Sequence, residues 1–143
     1  MKKKLKTICI IPARGGSKGL PGKNIKTFNG KPLIAWPILA AKQSEKIDEI
    51  IVTTDSEEIA EKADFFGANV PSLRPTNLAQ DGTTTEATLK YALNEFENLN
   101  NIRFDLCVFL TCTDIFRSVN WIDDAIQRLE NDSTLDSVFA ASP

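Results

Sequence analysis

Thr7 to Ile11 is a β-branched, largely apolar run without polar alternation. It breaks directly into Ala13–Asn24, twelve residues holding four glycines, one arginine and two lysines. A run of this kind suits a strand covered on both faces, as in a parallel sheet. The loop then leaves its carboxyl end. Glycines let the backbone take positive φ and approach a ligand closely, and exposed N–H groups in such turns form concave anion sites. Arg14, Lys18 and Lys23 add positive charge, so the segment reads as a loop that wraps a polyphosphate.

The same alternation continues along the chain. Leu33–Lys42 has helical spacing at Leu33, Ile34, Ile38 and Leu39, with Pro37 predicting a kink or a late start. Glu49–Thr53 reads as a second strand. Asp55 or Ser56 then caps a helix with apolar face Ile59, Ala63 and Phe66, stopped by Gly67. A weak strand over 69–73 precedes a polar loop that begins at Arg74. Thr83 with Glu86 reads as a capping box opening a helix along Leu89, Leu93, Phe96 and Leu99. Phe104–Leu110 reads as the most buried strand, followed by a polar loop from Thr111 to Arg117, a helix through Trp121, Ile122, Ala125, Ile126 and Leu129, and a last strand at Ser137–Ala141. Repeated βα alternation predicts an open, mostly parallel sheet with helices on both faces. Ligands bind such sheets at the carboxyl ends of the strands, near the switch in strand order. The loops 13–24, 74–85 and 111–117 all follow predicted strands and are expected to converge there.

Composition narrows the chemistry. At 143 residues the chain suits one domain or a piece of one, and a net charge of −2 without a basic stripe argues against a nucleic-acid surface. No apolar stretch approaches a bilayer span and no signal-peptide core is present, so a soluble, cytoplasmic protein without membrane contact is expected. Cys9, Cys107 and Cys112 lack C-x-x-C spacing and suit a reducing compartment; Cys9 and Cys107, together with Trp36 and Trp121, are expected in the core. Histidine is absent, which removes His-based triads, His general bases and the commonest zinc ligand.

Spacing rejects two common phosphate motifs. No glycine arrangement from Gly15 to Gly22 supplies G-x-G-x-x-G. For a P-loop, Ser17 stands where the first glycine is required and Asn24 where Ser or Thr is required. The loop resembles, residue by residue, the I-x-A-R-G-G-S-K-G-x-x-x-K-N signature of the CMP-sialic acid synthetase (acylneuraminate cytidylyltransferase) family. The similarity continues through Gly30–Ala35, the strand end Ile51–Asp55, and Arg74-Pro75 with Leu78, Ala79 and Asp81.

That resemblance implies a three-layer αβα nucleotidyltransferase fold. It implies that residues 1–143 are the nucleotide-binding N-terminal portion of a cytidylyltransferase domain, without the dimerisation and acceptor-sugar segment of the family homodimer. The implied reaction is CTP plus an acidic nonulosonic sugar giving CMP-sugar and pyrophosphate, with Mg²⁺. Arg14, Lys18 and Lys23 would hold the triphosphate and stabilise charge growing on the leaving group. Ala13, Gly15, Gly16 and Ser17 complete the cradle, and Asn24, Arg74, Asp81 and Thr85 lie where ribose and cytosine would be addressed. The attacking hydroxyl belongs to the sugar, so no enzyme nucleophile is expected.

The third loop departs from the family. Where relatives carry L-Q-P-T-S-P-L-R, this chain has Leu110-Thr111-Cys112-Thr113-Asp114-Ile115-Phe116-Arg117, so Thr111 replaces the glutamine that contacts the acceptor sugar. Asp114 falls one residue from the position of a metal-binding aspartate in related enzymes, and it is equally a turn-forming residue. Two alternatives remain open: a nucleotidyltransferase for another sugar, and a noncatalytic nucleotide-binding module.

Overall fold

The computed structural model describes residues 5–16, 22–75, 84–112, 119–135 and 137. Strand β1 (Thr7–Pro12) is the middle strand of a parallel three-stranded sheet. Strand β4 (Glu49–Thr53) lies on one side and β5 (Leu106–Phe109) on the other. The order β4-β1-β5 places the switch in strand order between β1 and β5, at the carboxyl end where the glycine loop leaves. Asn69 extends the sheet beyond β4 through one parallel bridge to Ile51, so the weak strand expected over 69–73 is a single bridge. The segment stays tied along β4, ending with the Arg74 N–H donating to the Thr54 carbonyl at 2.7 Å.

Both faces of β1 are covered, which explains its unalternating sequence. On one face Cys9, Ile11 and Val52 pack with Ile34, Ile38, Ile59, Ala63, Ile122 and Ile126. Those residues come from the approach to helix α1 (Ala35–Gln43), from α1 itself, and from α2 (Glu57–Phe66) and α4 (Val119–Asn131). On the opposite face Ile8, Ile10 and Ile51 meet Ala92 and Phe96 of α3 (Thr85–Asn100). This is the expected α/β arrangement with helices on both sides of the sheet. No helix among the described residues is long and apolar enough to cross a membrane.

Helix α1 makes the late start that Pro37 predicts, beginning at Ala35, which puts Pro37 in the first turn where its missing N–H has no intrahelical partner to lose. Several other local expectations need correction. Helix α3 is capped by Thr84, whose Oγ1 accepts the Ala87 N–H at 3.0 Å, not by Thr83. Three consecutive threonines are chemically equivalent caps, so the frame is chosen by packing of Thr88, Ala92 and Phe96 along the buried face. Leu99 falls outside that face and is 64% exposed.

Strand β5 is not the most buried strand. Cys107 and Phe109 are register partners of Ile8 and Ile10 but lie beyond the cover of α3, and both are exposed. Trp121 is 54% exposed beside the buried Ile122. Trp36 is half-buried against a hairpin that the sequence reading missed, β2 (Thr27–Phe28) with β3 (Lys31–Pro32). Its Nε1–H donates to the Phe28 carbonyl at 3.2 Å, and Lys31 Nζ sits 5.2 Å from the centre of its ring. The signal for this hairpin is Asn29-Gly30, both at positive φ in a two-residue turn. The last strand expected at Ser137–Ala141 lies outside the described residues except for Ser137.

Candidate functional site

The glycine loop starts on a continuation of the sheet. The Ala13 N–H donates to the Thr53 carbonyl at 3.0 Å, carrying the β1–β4 pairing one residue past the end of β1. The next turn is secured by a side chain: the Gly15 N–H donates to Asp55 Oδ1 at 2.9 Å. A Cβ at Gly15 would stand 3.0 Å from the Ser56 Cβ, so glycine permits this close approach to the N-cap of α2. Gly16 is exposed, and a Cβ there would meet nothing within 4 Å.

The far side of the loop is closed by Asn24 in a short 3-10 turn, Lys23–Ile25. Asn24 is buried; its Nδ2 donates to the Arg14 carbonyl at 2.9 Å and its own carbonyl accepts the Ile34 N–H at 2.9 Å. The Gly22 N–H reaches the Gly15 carbonyl at 3.4 Å, so residues 15 and 22 meet across the loop. Ser17 and Lys18 lie outside the described residues. Lys23 is half-buried at the start of the 3-10 turn.

Arg74 is the most unusual side chain in the protein. It is only 4% exposed, yet among the described residues its guanidinium has a single side-chain bond, from Nη1 to Thr88 Oγ1 at 3.3 Å. Nε and Nη2 are buried without a hydrogen-bond partner among the described residues. Buried charge without full partnering is costly, and arginine does not escape by releasing its proton. Burial accordingly pushes the Arg74 pKa below its ordinary value. The negative charge of Asp55 opposes that shift, Arg14 reinforces it, and Tyr91 weakly opposes it. Arg14, Asp55 and Arg74 therefore share one electrostatic neighbourhood beside the glycine loop.

Tyr91 backs this cluster from α3. Its hydroxyl pKa is raised first by a hydrogen bond with Glu95, then by burial and by the Glu95 charge, while Ser72 and Arg74 pull it down. The Ser72 hydroxyl donates to Glu95 as well, pinning the segment that carries Arg74 onto α3.

The other expected residues are distributed unevenly. Thr85 is the first residue of α3 and is exposed; Thr111 is half-buried just past β5. Asp81 and Asp114 lie outside the described residues. Asp55, a helix-cap candidate by sequence, instead joins the glycine loop to the Arg74 neighbourhood. Sequence reasoning missed Thr88. The available signal for Asp55 was its place at the carboxyl end of β4, next to the switch in strand order.

Among the described residues no group of three His, Cys, Asp or Glu side chains could hold a metal ion, and Asp55 has one oxygen committed to Gly15 with arginine charge nearby. The arrangement suits an anion or a paired acceptor: fixed loop geometry, Arg14 at its edge, and the unused side of a buried guanidinium.

The chain is 42% identical over 123 residues to a CMP-N,N'-diacetyllegionaminic acid synthase of Legionella pneumophila, covering 86% of this chain and 53% of that protein. It is 45% identical over 103 residues to a pseudaminic acid cytidylyltransferase of Campylobacter jejuni, covering 72% and 44% respectively. It thus spans about half the length of these relatives. In three dimensions it matches a CMP:2-keto-3-deoxy-manno-octonic acid synthetase solved with CTP, with a TM-score of 0.73 at 24% identity, over 91% of this chain and 49% of that one, a likeness of fold. Residues 8–142 match the cytidylyltransferase family, and the chain belongs to that family.

Proposed function

We propose that this chain supplies the nucleotide-binding part of an enzyme that joins CMP from CTP to an acidic nonulosonic sugar, releasing pyrophosphate. Membership of the cytidylyltransferase family supports the reaction class, and relatives named for legionaminic and pseudaminic acids support the substrate class. The observation that carries the nucleotide reading is Arg74, buried beside the glycine loop with two idle donors.

In this reading Arg14, Lys18 and Lys23 hold the triphosphate around the loop of Ala13, Gly15, Gly16 and Ser17. Displacement at the α-phosphorus builds negative charge on the departing pyrophosphate, and cations fixed in advance lower that barrier without reorganising. Asn24 closes the loop and so holds Arg14 in place, while Arg74, with Asp81 and Thr85 further along, faces the nucleoside. Thr111 lies at the acceptor side. Mg²⁺ accompanies the triphosphate, supplying electrostatic shielding of its oxygens, and Asp114 is the residue to test for a link to it. The homodimer implied by the family resemblance and the cytoplasmic setting expected from the sequence belong to the same proposal.

Titration calorimetry with CTP, UTP, ATP and GTP, with Mg²⁺ present, tests the nucleotide. A preference for CTP that falls at least about tenfold in Arg14→Ala is expected, since a lost charged hydrogen bond is worth roughly 1.5–3 kcal/mol. Equal binding of all four nucleotides, or none, sinks the reading. Pyrophosphate release from CTP with a panel of nonulosonic acids then tests turnover; CTP binding without release under any acceptor assigns a binding module instead.

A further inference from the structure

The residue that fastens Arg74, Thr88 on the second turn of α3, belongs to none of the motifs that point to the site. Arg74 Nη1 donates to Thr88 Oγ1 at 3.3 Å, and the Thr88 hydroxyl donates to the Thr84 carbonyl at 3.1 Å. A hydroxyl has one proton and two lone pairs. With its proton committed to Thr84, Thr88 turns a lone pair toward the guanidinium. Thr84 is itself immobilised as the N-cap of α3 through the Ala87 N–H. Every bond from the helix to the arginine therefore has a fixed direction.

The guanidinium is planar, so a bond at one of its nitrogens narrows the directions open to the others. The backbone end is anchored by the Arg74 N–H on the Thr54 carbonyl, and the head is anchored by Nη1 on Thr88. What remains is the side formed by Nε and Nη2, whose N–H bonds run nearly parallel and suit two adjacent acceptors of one ligand. Those are the two buried nitrogens without a partner among the described residues. Thr88 is itself buried, and its hydroxyl is taken up by Arg74 and by the Thr84 carbonyl.

We infer that Thr88 is a positioning residue, which holds the Nε–Nη2 edge of Arg74 in the orientation that grips a pair of neighbouring acceptor atoms on the nucleotide. The identity of the ligand rests on the proposed function; the orientation of Arg74 does not. Thr88→Ser keeps the acceptor oxygen, while Thr88→Val keeps the shape and removes it.

Two measurements on the full chain decide the matter. Calorimetry with CTP is expected to give Thr88→Ser an affinity close to that of the unsubstituted chain, and Thr88→Val one about tenfold weaker, the loss of one charge-assisted hydrogen bond. Tripolyphosphate in a parallel arm separates sources of the acceptor pair: a Val deficit confined to CTP places it on the base or ribose, and an equal deficit places it on phosphate. Without any ligand, the ¹⁵N–¹H signal of the Arg74 Nε–H, identified by its loss in Arg74→Lys, is expected to exchange slowly with water in the unsubstituted chain and in Thr88→Ser, and quickly in Thr88→Val. Undiminished CTP affinity in Thr88→Val, or a Val deficit that Ser shares, overturns the inference. If the unsubstituted chain binds no CTP, the proposed function falls, and the Nε–H comparison alone then decides the role of Thr88: slow exchange in Thr88→Val rejects it.

Discussion

Arg74 carries a full charge into the protein with, among the described residues, one side-chain hydrogen bond and two idle donors. An unsatisfied buried polar group costs on the order of 1–3 kcal/mol, and more when charged. Arg74→Met keeps most of the apolar stem and removes that cost along with the charge. Its melting temperature is expected to equal or exceed that of the unsubstituted chain, while CTP affinity drops at least about tenfold. A lower melting temperature with CTP affinity intact would contradict both halves. Arg74 stood out in the sequence as part of a family motif, but nothing in one dimension reveals that Thr88, fourteen positions on, receives its guanidinium. Asp55 was visible for a similar partial reason: a helix-capping aspartate is a local pattern, whereas its bond to the Gly15 N–H spans 40 positions.

Helices and strands show the same division between local and distant causes. The α2 cap at Ser56 and its stop at Gly67, in a left-handed conformation, follow from neighbouring residues and were readable. The frame of α3 depended on which of three threonines the sheet contacts select, and was not. Helix α4 is held by acidic residues two turns apart that grip the turn after α1. Asp123 accepts from the Ser44 hydroxyl and, at 3.5 Å, from the Glu45 N–H, and Glu130 pairs with Lys46 at 2.9 Å. Asp123→Ala leaves that turn without its main acceptor and is expected to destabilise the protein by about 1 kcal/mol in urea unfolding. An unchanged midpoint would remove Asp123 from the docking of α4. Strand β5 explains the other failure: Leu-Cys-Val-Phe is apolar throughout, so its sequence cannot tell a covered face from an open one. Cys107 lies on the open face, and partial burial of its thiol raises the pKa to about 11. Since only the thiolate reacts, its alkylation by iodoacetamide is expected to be slow at pH 7 and to rise about tenfold per pH unit until near pH 11. A rate that levels off near pH 8.5 would place the thiol in an ordinary aqueous setting. Cys9 and Cys112 are buried and are expected to stay unmodified until the protein unfolds.

At the scale of the whole molecule, alternation of strand and helix was legible because each step is local, and it led correctly to a parallel α/β sheet with the glycine loop at the carboxyl end of the central strand. The meeting of Arg14, Asp55 and Arg74 was legible only as an expectation that loops after strands converge, since sheet order decides which loops become neighbours. Asn24 shows how chemistry and architecture overlap there: the side chain expected beside a ribose uses its Nδ2 to close the loop on the Arg14 carbonyl. The idle edge of Arg74 also makes the protein a reporter on its own ligands. Anything that binds only the folded state raises the melting temperature by mass action, in proportion to the logarithm of its concentration over its Kd. Melting the unsubstituted chain and Arg74→Met side by side against a collection of nucleotides and sugar acids therefore sorts compounds without any turnover: those that stabilise both proteins equally sit elsewhere, and those that stabilise only the first are in the grip of that one guanidinium.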